Sequence, residues 1–354
     1  MNHPGRILIF HTAFIGDIVL TLPLVQALRA HLPASRIAFV ATPLASGVLR
    51  NHPAIDEVIS YDKKGRDRGL AGVLRLVRDL RRRRFDLAIV PHRSLRSALI
   101  PWLARIPRRV GFTTSAAPAF FTDKVRYRRE RNEIGRDLDL LIPLGVPSPP
   151  ESLPRLYPNE QDREIVQAML ERRKAGSPGF DASRMIAVAP GSVWNTKRWP
   201  ADRFQSLCRM LIADGLSVVL IGGEKDAELC EKVSEGLEAE RVLNSAGHLS
   251  LLQSAEMIRR CSATVSNDSA PMHLAVGVGT PVVAIFGATV PAFGFAPTGA
   301  RDRIMGVEGL SCRPCGIHGG DVCPIGSFTC MNEISPAEVH RAVRSILAAE
   351  KRSA

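Results

Sequence analysis

The sequence predicts an α/β protein made of two doubly wound, parallel-sheet halves. Three observations carry this expectation. Short continuous apolar runs, the mark of strands buried on both faces, alternate with stretches of helical periodicity from end to end. Six prolines, Pro143, Pro147, Pro149, Pro150, Pro154 and Pro158, interrupt the alternation, and the pattern then restarts. The 354-residue length suits two domains of roughly 100–200 residues each. The expected division is 1–150 and 151–354.

In the first half, Arg6–Phe10 reads as a strand and Ile18–His31 as a helix with Ile18, Leu22, Val25 and Leu28 on one face. Arg36–Ala41 and Glu57–Tyr61 are further strands. Leu70, Val73, Leu74, Val77 and Leu80 define one face of the next helix, with Arg75, Arg78 and Arg82 off it. The run Arg81–Arg84 ends that helix, where cations complement its dipole. Phe85–Val90 and Arg109–Phe112 complete the first set. In the second half the strands are Met185–Ala189, Ser217–Ile221, Ala263–Ser266 and Pro281–Phe286. The helices are Ala201–Asp214, Lys225–Gly236, Ser250–Cys261, Pro271–Val278 and Pro336–Glu350. Two such halves are expected to face each other across a ligand cleft at the carboxyl ends of their strands.

An apolar content of 45% with 23% charged residues excludes wholesale disorder. Apolar stretches such as Met185–Pro190 and Pro281–Phe286 are far short of the roughly 18–20 residues a membrane span needs. The first ten residues lack the apolar core and cleavage site of a secretory signal, so a soluble intracellular protein is expected. Seven cysteines do not suit a disulfide scaffold, which a chain this long does not need. The net charge of +12 is lopsided. Residues 1–150 hold 25 Lys and Arg against 12 Asp and Glu, a net +13, whereas 151–354 carry −1. A basic half implies an anionic partner: nucleic acid, an acidic membrane surface or a phosphorylated substrate. An aromatic content of 5% is poor for stacking on bases, which argues against nucleic acid.

Three segments carry chemistry. Phe14-Ile-Gly-Asp17 follows the first strand; Gly16 permits close backbone approach, and Asp17 is either a helix cap or a carboxylate facing the cleft. No G-x-G-x-x-G accompanies it, which weakens a dehydrogenase reading. Pro190-Gly-Ser-Val-Trp-Asn-Thr-Lys-Arg-Trp-Pro200 follows the first strand of the second half. Its glycine, Ser192, Thr196 and Lys197 suit a phosphate group, without Walker A spacing. Ser266-Asn-Asp-Ser-Ala-Pro-Met-His-Leu-Ala275 joins a strand to a helix start, whose free N–H groups suit a diphosphate. Gly287-Ala-Thr289 ends the next strand. Singly, Asp268 and Ser269 read as caps and His273 as a core histidine; together with the Lys197 loop they read as a nucleotide site.

Taken together, these segments resemble glycosyltransferase family 9, the ADP-heptose:lipopolysaccharide heptosyltransferases. The likeness runs from Arg6 to about Val343. Within the family it leans toward heptosyltransferase II, partly through the cysteine-rich stretch after Leu310. The chain differs from the commonest family pattern at Ala270, Pro271 and Ala288.

The resemblance implies a GT-B fold of two Rossmann-like domains, no cofactor and no catalytic metal. It makes Asp17 the general base and Lys197 the cation that stabilises the leaving diphosphate. Gly16, Ser192, Asp268, Ser269, Ala270, Met272, His273 and Thr289 become donor-site residues for ADP-heptose. The first domain would bind a phosphorylated lipid A-Kdo-heptose acceptor from the cytoplasm, with peripheral contact at the inner face of the inner membrane. Pro91-His-Arg-Ser-Leu-Arg96 is the acceptor-loop candidate, through His92, Arg93 and Arg96. A capped helix start with exposed arginines is the competing reading there.

Two further patterns compete for attention. Asp137-Leu-Asp139 mimics the D-x-D of metal-dependent glycosyltransferases but sits in a helical pattern and reads as a solvated face. Cys312, Cys315, Cys323 and Cys330 read as reduced structural thiols, with a structural zinc site as the alternative. For function, transfer of a first or third heptose, a sugar-nucleotide epimerase and a basic membrane-surface or nucleic-acid module stand as alternatives to transfer of the second heptose.

Overall fold

The computed structural model describes residues 4–146 and 151–353. The chain forms two compact units, 1–157 and 158–354. The first contains, in order, β1 (Arg6–Phe10), α1 (Ile15–His31), β2 (Arg36–Ala41), β3 (Glu57–Ser60), α2 (Gly69–Arg83), β4 (Leu87–Val90), α3 (Leu95–Leu103), β5 (Arg108–Phe112), β6 (Asp123–Val125) and α4 (Glu133–Asp139). Its six strands are all parallel, in the order β3-β2-β1-β4-β5-β6. The order reverses between β1 and β4, which opens a crevice at their carboxyl ends.

The second unit repeats the plan. It runs α5 (Glu160–Gly176), β7 (Met185–Ala189), α6 (Ala201–Ala213), β8 (Ser217–Leu220), α7 (Ala227–Ser234), β9 (Val242–Asn244), α8 (Leu251–Arg259), β10 (Ala263–Asn267), α9 (Ala270–Val278), β11 (Val282–Ile285), β12 (Arg303–Met305), α10 (Thr329–Asn332) and α11 (Pro336–Ser353). The parallel sheet has the order β12-β11-β10-β7-β8-β9, with its reversal between β7 and β10.

Burial explains the strand runs. Ile7–Phe10 and Met185–Ala189 are buried at every position because helices cover both faces of each sheet. α1 is buried without a break from Ile18 to Val25, so its apolar residues do not form a single stripe. It also begins at Ile15, three residues before the expected start, which moves Asp17 into the first turn. α2 buries Gly72, Leu76, Val77 and Leu80, while Leu70 and Leu74 are exposed. The expected Leu70–Leu74 edge was therefore displaced by about one residue step around the helix.

The division between the units falls after Tyr157 rather than at residue 150. The segment 151–157 is tied to the first unit. Glu151 accepts hydrogen bonds from Arg131 and Asn132, both at 2.6 Å. Leu156 is buried, and the Tyr157 ring packs edge-on against His52 at 4.9 Å. Pro147, Pro149 and Pro150 of the expected linker lie outside the described residues.

Asp137 and Asp139 are not on a solvated face: each is 1% exposed. α4 packs against α1, and its carboxylates point inward. Asp139 accepts from Arg128 Nε at 2.8 Å and pairs with Arg131 as well. It thereby pins the loop after β6 to α4. Asp139→Ala is expected to lower the unfolding free energy by about 2–3 kcal/mol, since two guanidinium groups lose their shared buried partner. Urea unfolding followed by circular dichroism checks this; a change under about 0.5 kcal/mol would return Asp139 to the surface.

Candidate active site

Each topological reversal carries one cluster of polar side chains. In the second unit the loop after β7 and the start of α9 after β10 lie side by side. Asn267, fully buried, joins them: its amide donates to Pro190 O at 2.8 Å and accepts from Trp199 N–H at 3.0 Å. Ser269 Oγ donates to Gly191 O at 3.2 Å. The Trp199 indole N–H donates to Ile334 O at 3.1 Å, and the ring packs edge-on against Phe204. The 190–200 loop is therefore held at both ends.

Between those anchors, Lys197 Nζ lies 2.6 Å from Asp268 Oδ2, with both side chains largely buried. Thr289 Oγ1 donates to the same oxygen at 2.7 Å. Ser192 is buried in the same loop, and its carbonyl accepts from Arg198 Nε at 2.8 Å. Ala270 and Pro271 open α9, so Pro271 adds no donor to the first turn while Ala270 does. Met272 and His273 are buried on that helix. Burial lowers the His273 pKa to about 4; Asp268 opposes this and Lys197 adds to it. At neutral pH His273 is therefore uncharged, and Lys197 is the cation of the cluster.

Arg313 went unnoticed in the sequence. Its guanidinium donates to Thr289 O at 2.9 and 3.1 Å and to Phe286 O at 3.1 Å, fixing the loop that carries the Thr289 hydroxyl. The cysteine-rich stretch docks on the lysine loop as well. Thr196 N–H donates to Gly320 O at 2.9 Å, and Gly320 N–H donates back to Thr196 Oγ1 at 2.8 Å. The four cysteines of this stretch are free thiols, and no group of three or more ligands that could hold a metal is assembled among the described residues. Cys330 is buried, whereas the Cys323 thiol is lowered by backbone N–H groups of the 325–328 turn.

In the first unit, the ends of β1 and β4 bring His11 and His92 together, ring centroids 5.6 Å apart. Asp17 is half-buried at the third position of α1, and its Oδ2 accepts from Phe14 N–H at 3.0 Å. The side chain thus does cap the helix, from inside the first turn. Gly16, next to it, is likewise half-buried. His92 turns inward: Nδ1 lies 2.9 Å from Ser97 Oγ, and burial, with Lys63 and Arg93 nearby, lowers its pKa to about 4. It adds no positive charge at neutral pH. Ser94 caps α3, Arg93 stacks over Tyr127 at 4.1 Å and Arg96 is exposed. The loop is therefore a capped helix start, with Arg96 exposed and Arg93 laid over the Tyr127 ring. Lys63, which the sequence reading passed over, follows β3 and donates to Thr12 O at 2.5 Å. A lysine just past a strand's carboxyl end was the available signal.

Two doubly wound parallel sheets with a lysine, a hydroxyl-rich loop and a helix N-terminus at the second reversal define a nucleotide-sugar enzyme of the GT-B architecture. The chain belongs to glycosyltransferase family 9 (heptosyltransferase), whose pattern matches residues 73–319. It is similar to lipooligosaccharide heptosyltransferase 2 of Haemophilus ducreyi, 30% identical over 300 residues that cover 81% of this chain and 85% of that one. Among solved structures, the family 9 glycosyltransferase of Veillonella parvula superposes with a TM-score of 0.87 at 26% identity, covering 99% of both chains. Heptosyltransferase II of Escherichia coli superposes with a TM-score of 0.79 at 26% identity, covering 98% of this chain and 99% of that one.

The neutral His273 makes stability depend on pH. Its folded pKa of about 4 lies below the unfolded value near 6.5, so the unfolded state gains a proton first as pH falls. The cost appears below about pH 6.5 and grows until the folded pKa is reached. Between pH 7 and pH 5 His273→Gln is expected to lose about 2 kcal/mol less unfolding free energy than the wild type. Urea unfolding at both pH values measures it; equal losses would mean that His273 titrates normally.

Proposed function

We propose that this enzyme transfers L-glycero-D-manno-heptose from ADP-heptose, with inversion, onto the phosphorylated inner core of lipopolysaccharide, and that it adds the second heptose. The observation that carries the donor side is the buried Lys197–Asp268–Thr289 cluster beside the start of α9. A diphosphate placed there gains Lys197 and the helix N-terminus, and the negative charge that grows on it as the glycosidic bond breaks is stabilised by charges already fixed in place. The choice of sugar and acceptor is supported by relatives: the Haemophilus ducreyi protein is a lipooligosaccharide heptosyltransferase 2, and the Escherichia coli structure is that of an ADP-heptose LPS heptosyltransferase II.

In this reading Asp17 is the general base. It takes the proton of the acceptor hydroxyl as that oxygen attacks the anomeric carbon, and ADP leaves. Residues 1–157 form the acceptor domain and 158–354 the donor domain. Arg93 and Arg96 attract the acidic acceptor, with Lys63 beside them, while His92 orients the loop as a neutral group. Ion pairs such as Arg29–Asp56, Arg75–Asp67 and Arg108–Asp123 cancel within the first unit, so the net +13 is what remains to attract the acidic acceptor. No helix among the described residues is long and apolar enough to cross a membrane. The acceptor would be met by peripheral contact at the cytoplasmic face.

The test is ADP release from ADP-heptose with and without a core acceptor bearing the first heptose. Release should require that acceptor. Asp17→Asn is expected to lose about 10²–10⁴-fold in kcat while binding ADP-heptose as the wild type does. Release without acceptor would favour a hydrolase or epimerase, and a wild-type rate in the variant would leave Asp17 as a cap alone. Salt gives a second check. Between about 0.05 and 0.3 M the acceptor KM should rise more steeply than the donor KM, and Arg93→Ala with Arg96→Ala should flatten that rise. A flat acceptor KM in the wild type would place the acceptor away from these arginines.

A further inference from the structure

The contact between α4 and α1 is polar at its centre. Asp137 is 1% exposed, and its Oδ2 lies 2.6 Å from Thr21 Oγ1. Its Oδ1 is buried and has no hydrogen-bond partner. Thr21 stands one helical turn after Asp17. Its hydroxyl is also 2.9 Å from the Asp17 carbonyl oxygen and 2.9 Å from His11 Nδ1. One hydroxyl therefore joins the end of β1, the first turn of α1 and α4.

We propose that Asp137 is a positioning residue for the Asp17 base, its carboxyl group holding Thr21 and through it the first turn of α1. This rests on the reading of Asp17 as the base. Asp137 itself is walled off from any substrate by burial. What it contributes is a fixed origin for the helix turn from which the Asp17 carboxylate projects.

The same geometry sets its protonation. An ionised carboxylate needs donors on both oxygens, and here one has none. Glu133 on the same helix and Asp17 on α1 are acids facing it. Arg136, the nearby cation, is engaged by Glu133 at 2.8 Å, the Tyr127 hydroxyl at 3.0 Å and the carbonyls of Arg128 and Arg129. His11, across Thr21, is kept neutral by burial and by His92 and Lys63 on its other side. Burial, then Glu133, raises the Asp137 carboxyl well above the usual range; Thr21 and Arg136 oppose this, while Asp17 adds to it. Burial and the neighbouring acids thus favour the neutral form of Asp137. The Thr21 hydroxyl is shared between the Asp137 carboxyl, the Asp17 carbonyl and His11 Nδ1. The first turn is thereby anchored to α4 through one hydroxyl.

The experiment compares Asp137→Asn, Asp137→Ala and Thr21→Val, with Asp17→Asn as reference, using ADP-heptose and acceptor bearing the first heptose. Asp137→Ala and Thr21→Val should each lose about ten- to a hundredfold in kcat, with donor KM within about twofold of the wild type. Asp137→Asn keeps a neutral oxygen and a donor in the same shape and should stay within about threefold. The double variant Asp137→Ala, Thr21→Val should be no slower than the slower single, because both break one link. Circular dichroism and melting temperature establish folding; if Asp137→Ala does not fold, Thr21→Val and Asp137→Asn decide. A folded Thr21→Val with wild-type kcat, or an Asp137→Asn as slow as an apolar replacement, overturns the proposal. An inactive Asp17→Asn beside a fully active Thr21→Val removes the positioning role alone, whereas an active Asp17→Asn removes the base reading.

Discussion

Each sheet reverses its winding once, between β1 and β4 and between β7 and β10. Parallel strands need crossover connections, and where the crossovers change sides no helix covers the strand ends. The gap fills with loops, and these loops carry nearly every polar residue that matters. His11 and His92 meet at the first reversal because β1 and β4 are neighbours, although 81 positions separate them in the chain. Gly191 and Ser269 meet at the second for the same reason. The backbone is set by apolar strand burial, and the chemistry is mounted on it.

The Lys197–Asp268 pair shows what that mounting costs. A buried ion pair is a weak source of stability, since both charges give up water. Here it is surrounded by further ties: Thr289 on the carboxylate, Asn267 under the loop, Trp199 into the core and Arg313 on the Thr289 carbonyl. These contacts hold the lysine in place against its own four-carbon flexibility. The charge is preorganised because these contacts fix the loop around it, with the neighbouring His273 neutral.

The long-buried strands were legible because burial on both faces leaves an unbroken apolar run, as in Met185–Ala189. β6, β9 and β12 were not, since three residues carry no period. α5 escaped notice because it buries only Val166 and Leu170 of its 17 residues. Lys197, Asp268 and Thr289 could be grouped from their places after successive strands. Asp137 could not, because its partner Thr21 lies 116 positions away, and a buried acid on a short helix has the same local pattern as a solvated one. Arg313 is hidden for a related reason: its partners are main-chain carbonyls, which leave no trace in residue type.

α11, the last helix of the chain, packs on α6 and on the central strands β10 and β11. Val339, Val343 and Ile346 from it enter the same apolar cluster as Val188, Val265 and Ile285. The second unit therefore cannot finish its core until α11 has been made. The first unit has all its strands and helices within 157 residues and can close while the other is still being made. Synthesis thus delivers the two halves at different times, with the Asp17 half ready first and the lysine half waiting on α11.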